Sequence, residues 1–191
     1  LKVLAAIRLV ILTLLVSPFV VAEVITWEEI QSDRLDTRRS DTQQEIYLRY
    51  LERLRDSKKS PETTVLEDIF RLSSEQAEAC RSGDCQLDSR LVINSFPYWL
   101  EDDVVHLLVF VANKSWKEGY LISESERLLR AKLSDLKSRY DLQWRIYVNP
   151  PHKRTVGLAH AHIFLKGVDT AEIAEAIKAV IPFSKPGLAP W

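Results

Sequence analysis

Three of the four histidines of the chain lie in one stretch, VNPPHKRTVGLAHAHIFLKG, from Val148 to Gly167. His160 and His162 are two positions apart in an apolar run that reads as a β-strand. Strand side chains alternate between faces, so Leu158, His160, His162 and Phe164 share one face, and Ala159, Ala161, Ile163 and Leu165 share the other. The alanine face suits close packing on a helix. The imidazole face suits chemistry, because imidazoles titrate near neutral pH, ligate metals and act as nucleophiles or general bases. A strand that only packs would gain more from Val or Ile at these positions. The spacing alone also fits two histidines that do no more than satisfy hydrogen bonds. The remaining histidine, His106, sharpens the reading. It shares a face with Leu108 and Phe110 in the run Val104 to Ala112, which is apolar on both faces and so reads as a central strand. If the two strands adjoin, three imidazoles converge, and three imidazoles could hold zinc with an open fourth position. Without a metal, the same residues remain candidates for nucleophilic or acid–base work, and no cofactor is implied. No carboxylate adjoins His160 or His162 in sequence, which leaves Asp102 and Asp103 as candidate partners.

The elements that must position these residues follow from periodicity. Thr26 and Glu29 have capping-box spacing at the start of a short helix. DTQQEIYLRYLERLRDSKKS places Ile46, Tyr47, Tyr50, Leu51 and Leu54 on one helical face. PETTVLEDIFRLSS opens with Pro and Glu in a first turn and repeats Val65, Leu66, Ile69 and Phe70. After SGDCQLDSR the character changes to a short strand, an aromatic turn around Pro97, and the strand carrying His106. Ser123 and Glu126 have capping-box spacing ahead of a stripe of Leu129, Leu133, Leu136 and Tyr140. LQWRIYVN is a strand with Trp144, Ile146 and Val148 on one face. DTAEIAEAIKAVI is a last helix carrying Ile173, Ile177 and Val180, and PFSKPGLAPW is a tail. Helices first, then strands around one long helix, predict an α+β fold with a mainly antiparallel sheet, one crossover helix and a C-terminal helix. A partly parallel pairing across the crossover is the alternative. SFPYW reads as a core corner or as a stacking platform for a sugar or base. Arg38, Arg39, Lys58 and Lys59 read as solvated charges.

Composition sets the outer bounds. At 191 residues, with 46% hydrophobic and 28% charged, the chain is ordinary globular material for one domain. A net charge of −1 argues against nucleic acid as a partner, and five glycines supply no phosphate-loop pattern. The first residues combine Lys2 and Arg8 with an apolar run from Leu9 to Ala22 that ends in small or β-branched residues. This is the layout of a signal peptide. A membrane anchor and translated untranslated sequence are the alternatives. The expected organisation is a signal-like or anchor segment over 1–22, one α+β domain over 23–182 and a tail over 183–191. A secretory destination follows if the leader is real, and a cytoplasmic one otherwise; membrane contact is expected only through an uncleaved leader. Cys80 and Cys85 fit a small-loop disulfide in a secreted chain and two free thiols in a cytosolic one. Their spacing fits no zinc pattern.

Two resemblances add to this reading. NSFPYWLEDDVVHLLVF and WRIYVNPPHKRTVGLAHAHIFL resemble the two signatures of the N-acetylglucosamine-induced protein 1 family, a largely fungal family of uncharacterised domains. WEEI followed by RRS resembles its N-terminal part, so the likeness runs from about Trp27 to Lys166. It differs at Ser95, at Ala159 and at Thr155-Val156-Gly157. More distantly, the HAH strand is similar to the catalytic strand of the histidine-triad superfamily, in which the middle histidine attacks a nucleotide phosphate. That resemblance implies a nucleophilic role for His160 and a supporting one for His162. Asn149 would fall near the phosphate, with His106 around the site, and Lys153 and Arg154 would supply positive charge. The first triad position is Leu158, and Pro150-Pro151 removes two backbone donors from the loop. The expected ligand is a phosphorylated small molecule such as a nucleotide or a sugar phosphate. The expected activity is phosphoester or nucleotide hydrolysis or transfer, with a metal- or ligand-binding or interaction protein without turnover as the alternative.

Overall fold

The computed structural model describes residues 23–32, 35, 37–83, 85–112 and 117–177. The signal-like segment 1–22, the tail 183–191 and Val180 lie outside the described residues. Helix α1 (Trp27–Gln31) begins at the expected capping box: Thr26 Oγ1 accepts from the Glu29 N–H at 3.2 Å, and the Glu29 carboxylate accepts from the Thr26 N–H at 2.9 Å. Ser40 and Gln43 start α2 (Asp41–Asp56) in the same way. Ser60 caps α3 (Pro61–Asp68), whose first residue is a proline that gives up no intrahelical bond there. The helix expected from Pro61 to Ser74 ends early, at Asp68, and a further helix follows it. The chain leaves α3 at Ile69, Arg71 adopts a φ of 63°, and a new capping box of Ser73 and Gln76 opens α4 (Ser74–Ser82). A disulfide joins Cys80, in the last turn of α4, to Cys85.

The second half forms the sheet. Strands β1 (Arg90–Ile93), β2 (Val104–Val111), β3 (Gln143–Tyr147) and β4 (Ala159–Lys166) lie in the order β1-β2-β4-β3, and every pair is antiparallel. Helix α5 (Glu118–Arg139) carries the chain from β2 across to β3, and α6 (Thr170–Ile177) closes the described fold. The parallel pairing entertained for the crossover does not form. β2 and β3 do run in the same direction, but β4 sits between them and pairs antiparallel with both. The described residues thus make an α+β fold of six α-helices and a four-stranded antiparallel sheet. Helix α5 begins at Glu118, more than a turn before the expected cap. Ser123 lies inside it, with its hydroxyl donating to the Tyr120 carbonyl.

The alternation of β4 decides the packing. Ala159, Ala161, Ile163 and Leu165 join Leu107 and Val109 of β2 and face Leu129, Leu133 and Leu136 of α5 and Ile173 of α6. Two alanines on this face let the helix approach closely. On the other face, Val65, Leu66 and Phe70 of the α3 region pack with Phe110, while Ile30 of α1 packs with Tyr98, Val104 and Phe164. The sheet therefore lies between α5–α6 and the N-terminal helices, and His106, His160 and His162 are on the N-terminal side. Fully burying a side chain such as Phe164 is worth about 1.5–3 kcal/mol, so both layers contribute to holding the histidine strand in place.

Candidate functional site

The register brings the three histidines onto neighbouring positions. On β2 and β4, His106 is opposite Phe164, Leu108 opposite His162 and Phe110 opposite His160. The turn Asn94–Tyr98 then fixes the proton positions. Asn94 Oδ1 accepts from the Phe96 N–H at 3.0 Å, an Asx-type closure that orients the amide. Pro97 has no N–H. The Tyr98 N–H reaches His106 Nδ1 at 3.2 Å, and Asn94 Nδ2 lies 3.2 Å from the same atom. A ring nitrogen that accepts from a backbone N–H carries no proton, so neutral His106 is protonated on Nε2. That Nε2–H points at His162 Nδ1, 2.9 Å away. His162 must accept there, and its own proton is therefore on Nε2.

His160 has the other tautomer. Its Nδ1 lies 2.8 Å from the Leu158 carbonyl and can only donate to it. The lone pair of His160 is thereby left on Nε2. All three rings are buried and held neutral. Burial first, then Arg39 and His160, pushes His106 down to about 3. Burial, followed by His106, His160, Arg39 and Arg154, holds His162 well below the usual range. Burial lowers His160 too, with the Leu158 carbonyl opposing and Arg154 adding to the shift.

His160 and His162 line a cleft of about 190 Å³ between this face of the sheet and helices α2 and α3. Its wall includes Arg39, Tyr47, Tyr98 and Asn149, and Lys153 and Arg154 are also in it. None of the described lining residues is Asp or Glu. Arg154 folds over the loop and donates from Nε to the Asn149 carbonyl at 2.7 Å. The volume is below the roughly 300–1,000 Å³ of drug-sized pockets, so it suits a phosphate with part of a sugar better than a whole enclosed nucleotide.

The three imidazoles come together, but in series rather than around a common centre, because His106 donates to His162. Among the described residues, no group of three His, Cys, Asp or Glu is placed to hold a metal ion. Asp102 and Asp103 are exposed, and Asp103 pairs with Lys166 at 3.1 Å, away from the imidazoles. His152 is exposed in a short 3-10 turn (Pro151–Lys153) and is not part of the cluster. Arg39, read from sequence as a solvated charge, is half-buried and sits 4.3 Å above the Tyr47 ring and 5.1 Å from that of Tyr98. Its neighbour Arg38 holds both oxygens of Glu29, at 2.9 and 3.0 Å. Of the aromatic turn, Tyr98 is buried against the histidines and Phe96 packs on Tyr47 and Tyr50, so this corner is both core and cleft wall.

The family model described as "Protein of unknown function (DUF3605)" matches residues 24–166, and the chain belongs to that family. The match spans every residue of the cleft. No curated protein matches the chain. A solved structure described as "Crystal Structure of HTC1" is similar at 20% identity, covering 74% of this chain and 84% of that one with a TM-score of 0.46.

Proposed function

We propose that this member of the family binds a small phosphorylated molecule in the cleft and that His160 attacks its phosphorus. The observation that carries the reading is the fixed tautomer of His160. Its Nδ1–H is committed to the Leu158 carbonyl, so a neutral ring presents a lone pair on Nε2 in a cleft whose charged lining residues are all cationic. The distant likeness to the histidine-triad superfamily supports the same role. In the step itself, the Nε2 lone pair forms a bond to phosphorus, and the bond from phosphorus to the leaving oxygen breaks. The electron pair leaves with that oxygen, which takes a proton from water if it needs one. Water then attacks the phosphohistidine, the P–N bond breaks, its electrons return to Nε2, and the proton passes to solvent. The cationic side chains stabilise the charge that develops on the phosphoryl oxygens.

The resemblance to the N-acetylglucosamine-induced protein 1 family supports placing amino-sugar phosphates beside nucleotides and nucleotide-sugars in a substrate panel. The test is release of phosphate or nucleotide from that panel by the wild type and by His160→Ala, with melting curves to show that the fold is kept. Turnover lost by orders of magnitude in the folded variant is the expected result. Turnover that survives removes the nucleophile. Leu158 at the first triad position favours a second reading, a module that binds the phosphorylated ligand without turning it over. Binding without turnover by the wild type would select it.

A further inference from the structure

Two buried polar side-chain atoms lack a hydrogen-bond partner among the described residues: Arg39 Nε and Asn149 Oδ1. Both residues line the same cleft, and both contact Tyr98. Arg39 stacks near the Tyr98 ring, and the Asn149 amide meets the Tyr98 hydroxyl at 3.2 Å. An orphan buried donor and an orphan buried acceptor would say little together. The proton chain from the Tyr98 backbone shows that they are not of opposite kinds.

His106 accepts on Nδ1 and donates from Nε2, so neutral His162 accepts on Nδ1 and carries its proton on Nε2. The amide atom 2.7 Å from that Nε2 is Asn149 Nδ2. Two donors cannot bond each other, whereas a half-turn of the amide exchanges its nitrogen and oxygen without moving anything else. With Oδ1 on His162, the oxygen accepts from the ring N–H and from the Tyr98 hydroxyl. Nδ2 then occupies the unpartnered position. The orphan atom at Asn149 is therefore an N–H donor, as Arg39 Nε is.

Arg39 has one polar contact on its guanidinium among the described residues, from Nη2 to the Phe96 carbonyl at 3.2 Å, and no carboxylate partner among them. Burial lowers its pKa, yet a guanidinium remains charged at neutral pH. A half-buried cation is normally balanced by an anion. Among the described residues Arg39 meets only the Phe96 carbonyl, two phenol rings and a cleft with no acidic lining residue.

We propose that Arg39 Nε and Asn149 Nδ2 form an oxyanion-binding subsite that takes two oxygens of a tetrahedral phosphate and holds it beside His160. The inference rests on the proposed function for the fate of the bound group, but the subsite itself takes up an anion whether or not His160 reacts. A tetrahedral oxyanion offers separate oxygens to separate N–H groups, and of this pair Arg39 supplies the positive charge.

Inorganic phosphate is the probe, titrated calorimetrically at pH 7 into the full chain. The variants are Arg39→Gln and Asn149→Asp. Asn149→Asp is the sharper one, because a carboxylate still accepts from His162 Nε2–H and from Tyr98, and so supports the fold while replacing the donor with a negative acceptor. The wild type is expected to bind one phosphate. Arg39→Gln and Asn149→Asp are expected to weaken that binding by about tenfold or more, as loss of a charge-assisted donor does. Absence of phosphate binding in the wild type, or equal binding by folded Asn149→Asp, overturns the subsite. The two readings fail separately. Phosphate binding lost in Arg39→Gln, with no turnover of any substrate by the wild type, keeps the subsite and removes the nucleophile. Turnover with unchanged KM in Arg39→Gln keeps the nucleophile and removes the subsite.

Discussion

Mild acid should destabilise this fold through its buried imidazoles. His106 has a folded value of about 3, against an ordinary 6.5, chiefly because the charged ring would be taken out of water. A group whose folded value is depressed binds its proton only in the unfolded chain over the interval between the two values. Its contribution to stability is complete above 6.5 and is lost as pH falls towards 3. The slope is about 1.4 kcal/mol per pH unit per proton, so lowering pH from 7 to 5 costs about 2 kcal/mol through His106 alone. His162 adds to the loss in the same direction. Against a typical total of about 5–15 kcal/mol this is a large fraction. The lowered carboxylates Glu29, Glu78 and Glu124 act in a lower window, as pH falls below their ordinary 4.5, so pH 7 to 5 isolates the imidazoles. Urea unfolding followed by tryptophan fluorescence at pH 7, 6 and 5 measures the slope. His106→Gln, which keeps a side-chain N–H for His162, should lose about one proton's share of it. Unfolding free energies that agree across the three pH values to within about 0.5 kcal/mol would refute the buried neutral network.

Gly167→Ala should destabilise the chain by about 1–3 kcal/mol in chemical unfolding, because the residue has a φ of 101° and a Cβ there would lie 2.6 Å from the Asp141 carbonyl oxygen; a neutral effect would mean that the turn after β4 is not as described. The Cys80–Cys85 bond closes only a short loop, so its reduction should cost a modest amount, about 2 kcal/mol by loop entropy, and a melting curve with and without reductant reads it.

Much of the architecture was legible because it depends on local signals. The alternation of Ala159 to Leu165 placed one face of β4 on a helix, and the both-sided apolarity of Val104 to Ala112 made β2 central. Thr26 and Glu29 marked a helix start through a contact three residues long. Helix α4 carried an equally local signal, the capping pair Ser73 and Gln76, at the point where the helix expected from Pro61 was to end. Ser123 carried the same kind of signal but starts no helix. A capping pattern is only permissive, and Leu121, fully buried in the α5 layer, draws the helix back to Glu118. The convergence of His106 with His162 needed only the guess that β2 and β4 adjoin. Arg39 could not be found this way, since its burial depends on Tyr47 from α2 and Tyr98 from a distant turn. The tautomers were likewise beyond local reasoning, because a backbone N–H at Tyr98 sets the proton on a ring in another strand.

The central claim is that His160 is a neutral imidazole with its lone pair on Nε2 in an anion-accepting cleft. Long-range proton–nitrogen correlation of the histidine side chains in the full chain at pH 7, with and without adenosine diphosphate, tests it directly. The account expects His160 protonated on Nδ1 alone, His106 and His162 protonated on Nε2 alone, and a shift of the His160 Nε2 signal on adding the nucleotide. A His160 that is cationic or protonated on Nε2, or one whose signals stay still at saturating nucleotide, would contradict it.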